Sequence, residues 1–344
     1  MEKANITRVA REAGVSKTTI SNYLNKKPGK ISEDTRRRIE DVVLKLNYIP
    51  NFGARQIINK NRPKTIGIIL EDASARSMFT DYFYGRLHAG ISAAFLSRDY
   101  RIMMLPSLFN NAEENAEYLK DLSRGFVDGY MLFNIHEQDQ YVEIFNKYKI
   151  PFICIGNMKN KNIRNYVGSD YVRAVKKAAE HFFAHGIHNI VVSAGYTDSI
   201  VGRQIVTGYR QAFEKRKLPV PAKNIITQKE TASESIYREC LELLKGDGRP
   251  GAFILSEYQY HDLVKAAAEL NLKLFGDIKV IVMNYFPPVP DPRITCFNVQ
   301  CYKVGKTAAD NLIGLMNGKM TEPCLFSMTY VQGNSCGCGE HKRR

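Results

Sequence analysis

The chain has 344 residues, 44% of them hydrophobic, and a formal net charge of +14. That length exceeds one ordinary hydrophobic core and points to about three folding units. No apolar run reaches the ~18 residues of a membrane span, and the charged amino terminus lacks a signal-peptide core, so a cytoplasmic protein is expected, with no membrane partner. Seven cysteines, odd in number and scattered, exclude a disulfide framework and fit reduced thiols.

The first predicted helix runs from Ile6 to Ala13, capped by Thr7, with Val9, Ala10 and Ala13 on its apolar side. Ala13-Gly14-Val15 follows as a turn, with Gly14 at the corner. Ser16 is placed to cap a second helix, in which Ile20, Tyr23 and Leu24 fall at i, i+3 and i+4 and pack inward. Lys17, Thr18, Ser21 and Asn22 then face outward. Short polar and cationic side chains near the start of a helix can reach base edges and phosphates in a major groove, so Val15 to Asn22 reads as a DNA-recognition helix. Pro28-Gly29 marks a loop. Ser32 opens a third helix, with Glu33 and Asp34 where the helix dipole favours acids and Ile39, Val42, Val43 and Leu46 as its apolar face. Residues 1–64 hold fifteen Lys and Arg against six Asp and Glu, a net of +9 out of the whole-chain +14. The basic excess lies where phosphate contacts are expected.

V-A-R-E-A-G-V-S from Val9 to Ser16, L-N-Y-I-P-N from Leu46 to Asn51 and A-R-Q-I from Ala54 to Ile57 together resemble the lactose-repressor (LacI) family of bacterial transcription regulators. The resemblance implies that Pro50-Asn51 starts a hinge helix, which folds in the minor groove when two subunits meet on an operator. Ile57 stands where the family usually has a leucine wedged between central base pairs. Isoleucine keeps an apolar wedge with a different shape, and Gly53 weakens the isolated helix, so folding of the hinge should depend on DNA. The DNA-contact candidates are Thr7, Ser16, Lys17, Thr18, Thr19, Ser21, Asn22, Asn25, Lys30, Tyr48, Asn51, Ala54, Arg55 and Ile57. Many family members have arginine at the position of Asn22. Asparagine favours adenine where arginine favours guanine.

Beyond Pro63, strands are expected at Thr65–Leu70, Tyr100–Leu105, Gly129–Phe133, Pro151–Ile155, Asn189–Ala194, Ala252–Leu255 and Lys279–Met283. Helices are expected at Tyr82–Ser97, Asn111–Ser123, Gln138–Tyr148, Tyr171–His185, Val201–Arg216, Ser233–Lys245, His261–Leu270 and Tyr302–Asn317. This alternation is that of βα units with parallel strands. The expected fold is an all-α helix-turn-helix headpiece (1–49), a hinge (50–62) and an α/β core (63–344) of two doubly wound parallel-sheet subdomains. The resemblance implies lobes like those of periplasmic binding proteins, joined by three crossings. Lobe 1 would hold about 63–165 and 298–320, and lobe 2 about 166–297 and 321–340.

A ligand cleft is expected between the lobes, at the carboxyl ends of the strands. The segment Thr197 to Arg203 resembles the family's loop-to-helix segment, in which an arginine bonds the effector. Guanidinium offers fixed donors for hydroxyls, phosphate or carboxylate, although Arg203 could equally start a helix and pair with an acid. Asp170 matches a position beside the effector and is also suited to cap the helix that follows. Ser256 and Glu257 replace the family's Asn-Asp. Tyr285 replaces an aspartate, and Glu257 could supply the missing acid. Phe79 and Tyr82, in an aromatic cluster with Phe83 and Tyr84, and Asn134, which follows a strand end, complete the effector candidates.

Cys336-Gly337-Cys338 with His341 offers soft ligands, but the spacing is not a standard zinc pattern, and a flexible terminus is expected. Cys296 and Cys301 read as buried small hydrophobes, and His185 and His188 as the end of a helix. No metal or cofactor is expected. G-x-S-x-G, Walker A and HExxH are absent, so no enzyme is expected. The function implied is a repressor that binds a near-palindromic operator and answers to a small effector. The alternatives are a regulator whose degenerate pocket answers to a partner protein or to nothing, and a small-molecule-binding protein without a DNA role. The segment after Tyr330 lacks leucine heptads, so a homodimer is expected.

Overall fold

The computed structural model describes residues 5–24, 30–46, 48, 64–70, 82–105, 112–123, 127–133, 140–156, 163–196, 199–228, 235–287 and 290–338. The expected hinge lies outside them. Two compact units divide before Lys64.

The first unit contains α1 (Ile6–Glu12), α2 (Lys17–Leu24) and α3 (Glu33–Lys45). Asn5, not Thr7, caps α1: its backbone is extended and its side-chain oxygen accepts the Arg8 N–H at 3.0 Å. Thr7 therefore lies inside the first turn. Ser16 and Ser32 cap α2 and α3 as expected, accepting the N–H groups of Thr19 (3.0 Å) and Thr35 (3.4 Å). Val9, Ala10, Ala13, Ile20 and Ile39 are buried together, and Tyr23, Leu24, Val42, Val43 and Leu46 pack around them. Gly14 turns the chain from α1 to α2 at φ +62°, in the left-handed region that glycine enters without penalty.

The second unit alternates strands and helices: β1 (Lys64–Leu70), α4 (Tyr82–Leu96), β2 (Tyr100–Leu105), α5 (Ala112–Ser123), β3 (Gly129–Phe133), α6 (Gln140–Lys147), β4 (Phe152–Ile155) and β5 (Tyr166–Ser169). There follow α7 (Tyr171–Ala184), β6 (Ile190–Tyr196), α8 (Ile200–Lys215), β7 (Ile225–Gln228), α9 (Tyr237–Lys245), β8 (Ala252–Ser256), α10 (Glu257–Glu269) and β9 (Lys279–Met283). The chain closes with β10 (Thr295–Asn298), α11 (Cys301–Met316), β11 (Cys324–Phe326) and β12 (Thr329–Val331). Two six-stranded sheets result, ordered β11-β5-β4-β3-β1-β2 and β12-β10-β9-β8-β6-β7. All pairs are parallel except β10 with β12.

Side chains alternate along each strand between two buried faces. Ile66 and Ile68 meet α4 and α11, whereas Ile69, Tyr130 and Leu132 meet the α5–α6 side. In the second sheet Ile190, Val192 and Ile254 meet α7 and α8, and Val191, Phe253 and Leu255 meet α9 and α10.

β5, β7, β10, β11 and β12 were not expected. Each is three or four residues long and is specified by its neighbours in the sheet rather than by an apolar pattern of its own. Because β5 and β11 both join the first sheet, that lobe extends to Ser169 and again to Phe326, beyond the expected edges at 165 and 320. Two helices also start elsewhere than expected. α10 begins at Glu257 instead of His261, because Ser256 caps it: the Ser256 N–H and hydroxyl both donate to Gln259 Oε1, at 3.1 and 2.9 Å. α9 begins at Tyr237 instead of Ser233, following Ile236, whose N–H donates to Asp262.

The chain crosses between the sheets after β5, after β10 and after β11, and the three crossings are tied to one another. The Asp170 N–H donates to Phe326 O (3.0 Å), and Gln300 Nε2 donates to Ser327 O (2.8 Å). Asn284, at the end of β9, donates through Nδ2 to the Tyr171 hydroxyl (2.7 Å) and accepts the Val299 N–H through Oδ1 (3.2 Å). Its φ of +58° is one that asparagine tolerates better than most residues.

Two helix pairs close at glycines. A Cβ at Gly90 would strike Tyr302 O, and one at Gly305 would strike Leu87 O, so α4 and α11 meet reciprocally. Gly208 brings α8 against Val172 O of α7 in the same way. Gly85, also in α4, has open space at its Cβ position. Gly90→Ala should therefore cost about 3 kcal/mol in urea unfolding, at the upper end of overpacking penalties. Gly85→Ala should instead gain about 0.5–1 kcal/mol from helix propensity. Asn284→Ala should cost about 2 kcal/mol or more, because it removes the donor to a buried hydroxyl and leaves alanine at positive φ.

Candidate DNA-reading face and interlobe site

Helix α2, expected to read DNA, buries Ile20 and packs Tyr23 and Leu24 on the headpiece core, leaving Lys17 and Thr18 exposed and Ser21 and Asn22 half-exposed. At 100° per residue these four share one side of the helix. No acid lies in the first turn, so the positive helix end and Lys17 act together toward an anion. Ser16 and Thr19 hydroxyls lie 2.9 Å apart. Both are thus cap components as well as contact candidates. Thr7 and Lys30 are exposed. Tyr48 is half-buried on the headpiece core, its N–H donating to Val43 O at 3.0 Å. Asn25, Asn51, Ala54, Arg55 and Ile57 lie outside the described residues.

In the second unit, Ser256 ends β8, and Arg203, Glu257 and Tyr285 follow the carboxyl ends of β6, β8 and β9 in the second sheet. That end of an open parallel sheet is where ligands bind. Arg203 is exposed in the first turn of α8, which Ser199 caps by accepting the Gly202 N–H at 2.9 Å. Asp170 caps α7, its Oδ1 accepting the Arg173 N–H at 2.9 Å. Ser169 beside it is buried, and its hydroxyl has no hydrogen-bond partner among the described residues. Tyr82 opens α4 and is 48% exposed. Phe79 and Asn134 lie outside the described residues.

Glu257 and the turn after β9 come together: Glu257 Oε2 accepts the Phe286 N–H at 2.7 Å. The Tyr285 ring packs on the second lobe's core. Its hydroxyl accepts the Asp291 N–H at 3.2 Å, and its own N–H donates to Asn298 Oδ1 at 2.8 Å. Burial raises the Tyr285 phenol above its ordinary value, with the Asp291 N–H acting in the opposite direction. Burial likewise holds the Tyr171 phenol far above its ordinary value, against the pull of Asn284. Both stay protonated near neutral pH.

The sequence reading missed Phe286 and Arg86. Phe286, from the second lobe, lies 6.4 Å from the Phe83 ring and 5.5 Å from the Arg86 guanidinium of α4 in the first lobe. Two aromatics and a cation thus bridge the lobes beside Glu257. An aromatic residue two positions after a strand-end asparagine was the signal available. A separate cavity of about 440 Å³, lined by Lys223, Ile225, Glu239 and Pro250 among others, lies at the amino ends of β7 and β8, away from all these residues.

Residues 5–51 match the model of bacterial regulatory proteins of the lacI family, and residues 179–336 match the periplasmic binding protein-like domain. The chain is 25% identical over 327 residues to catabolite control protein A of Priestia megaterium, covering 94% of this chain and 95% of that one. In fold it is similar to the lac repressor dimer bound to operator and the anti-inducer ONPF, with a TM-score of 0.78 and 19% identity over 97% of this chain and 99% of that one. It is also similar to the CelR–cellobiose complex, with a TM-score of 0.68 and 19% identity over 97% and 100% of the two chains. Among the described residues, no helix is long and apolar enough to cross a membrane. The chain thus joins a three-helix unit that matches the lacI family of bacterial regulatory proteins to a two-lobed α/β unit that matches the periplasmic binding protein-like domain.

Proposed function

We propose that this chain is a cytoplasmic, non-enzymatic transcriptional repressor that binds a near-palindromic operator as a homodimer and is modulated by a small effector, a sugar or related metabolite, between its lobes. The observation that carries the DNA-binding part is the outward face of α2, where Lys17, Thr18, Ser21 and Asn22 stand clear of the buried Ile20. In this reading Asn22 selects adenine at its step and Lys17 neutralises a phosphate. The relatives supply the effector class: one similar structure holds an anti-inducer and operator, another cellobiose. Arg203 is the donor assigned to the effector, Asp170 and Glu257 are acceptors, and Tyr82 and Phe286 are apolar walls.

Coupling requires the effector to bind the operator-bound and free states with different affinity. A second reading, a regulator that answers to a partner protein or to nothing, draws on the Tyr285 ring being packed into the lobe core and the Glu257 carboxylate being engaged by the Phe286 backbone.

Selection from random duplex DNA by the full-length protein, with and without pooled metabolites, tests both readings. One enriched palindrome is expected, and a metabolite pool should alter its binding. A palindrome that no pool affects would favour the second reading, and no enrichment at low salt would remove the DNA-binding assignment. Asn22→Arg should move half-site preference toward guanine at one step, worth about 1–3 kcal/mol. Lys17→Ala should weaken all sites alike and reduce the salt slope by about one. Arg203→Ala should keep operator affinity and lose the metabolite response.

A further inference from the structure

The carboxyl-terminal segment is docked on the second lobe as far as Cys338, contrary to the flexible tail expected from the sequence. Gly333 lies so close to Arg293 O that a Cβ would not fit. The N–H groups of Asn334 and Ser335 donate to that same carbonyl, at 2.7 and 2.8 Å. The Ser335 hydroxyl accepts the Thr295 N–H (2.8 Å) and donates to Val280 O (2.7 Å). Gly337, at φ +93°, turns the chain between the two cysteines. Cys336 is fully buried and Cys338 partly so.

This docking brings Cys336 and Cys338 to the carboxyl end of α7, far from them in sequence. The ligand atoms of His181, Cys336 and Cys338 all lie within 4.8 Å of one another. Cys338 Sγ is 3.3 Å from His181 Nε2 and 3.5 Å from His185 Nε2. The two histidines are four residues apart, so they share one helix face. The Tyr330 ring, 6.4 Å from the His181 ring, flanks it.

We propose that Cys336, Cys338, His181 and His185 form a binding site for a thiophilic divalent cation such as zinc. With metal–sulfur and metal–nitrogen bonds of about 2.3 and 2.0–2.1 Å, sulfur and nitrogen ligands at the corners of a tetrahedron stand about 3.5 Å apart. The two observed sulfur–nitrogen separations match that edge. Binding releases two thiol protons, and the two thiolates then neutralise the ion. With four protein ligands the site is closed to substrate, and its role is to clip the terminal segment to α7. It lies one helix length, about 20 Å, from Asp170 and the interlobe site, and does not depend on the proposed function.

The test is cobalt titration of the reduced, chelator-stripped, full-length protein. One cobalt per chain is expected, with the visible bands of a tetrahedral site and a sulfur-to-cobalt charge-transfer band, both displaced by equimolar zinc. Zinc should also raise the thermal midpoint. Cys336→Ser and Cys338→Ser should each weaken cobalt binding by more than about 100-fold, the upper cost of losing merely an outer hydrogen-bond partner of a ligand. His185→Asn, at a partly exposed helix end, should leave the fold intact, alter the visible bands and weaken binding at least tenfold. Three results would overturn the proposal: a folded, reduced protein that shows no thiolate band at excess cobalt, a band that survives in the Cys336→Ser/Cys338→Ser double variant, or a His185→Asn protein with unchanged spectrum and affinity.

Discussion

The lobes of the second unit are held in register by a small knot of hydrogen bonds at their crossings, and Asn284 is its centre. One side chain holds the start of α7 through Tyr171 and the approach to α11 through Val299. Asp170 and Gln300 tie those two crossings to the third. A change in lobe angle must turn about this knot, because elsewhere the lobes keep separate sheets. The phenol of Tyr171 is buried and protonated, so the knot carries no charge that would change near neutral pH. Any signal through it is therefore mechanical, carried by contacts such as the Phe286–Phe83–Arg86 bridge near the mouth.

The headpiece solves a different problem with few residues. Among the described residues its buried set is five side chains, most of them small, so caps and turns carry a large share of its definition. Ser16 and Thr19 hold the start of α2, and both are among the proposed DNA contacts. A ligand that recruits them competes with, or adds to, the same cap. Under the proposed function, this double use would make the start of α2 sensitive to what it binds.

Much of this was legible in the residues. β2, β3 and β9 were read to the residue, since each is a short, mostly apolar run broken only by Arg101 in β2 and Lys279 at the start of β9. The caps Ser16, Ser32 and Asp170 were visible because they precede clear helical periods. The strands that were missed have no such pattern: β7 and β10 mix Thr, Gln and Asn with apolar residues and exist because a neighbouring strand pairs with them. Phe286 gains meaning only when the other lobe is in place. The Cys–His cluster joins positions 157 residues apart, and no spacing rule connects them. Ser256 was read as a ligand contact, and its observed bonds are those of a cap.

The reciprocal Gly90–Gly305 contact also sets the order in which the molecule can be completed. The first lobe supplies β1 to β5 early in synthesis, yet α11 and β11 reach it only near the end of the chain. Until then one face of its sheet has no covering helix from α11, and the groove that receives Gly305 is open to water. The second lobe's β6 to β10 are contiguous and can be made and packed as one piece. On the ribosome, the lobe that emerges first therefore waits for nearly the whole chain before it is covered, and its exposed apolar face is the surface a chaperone would meet during that interval.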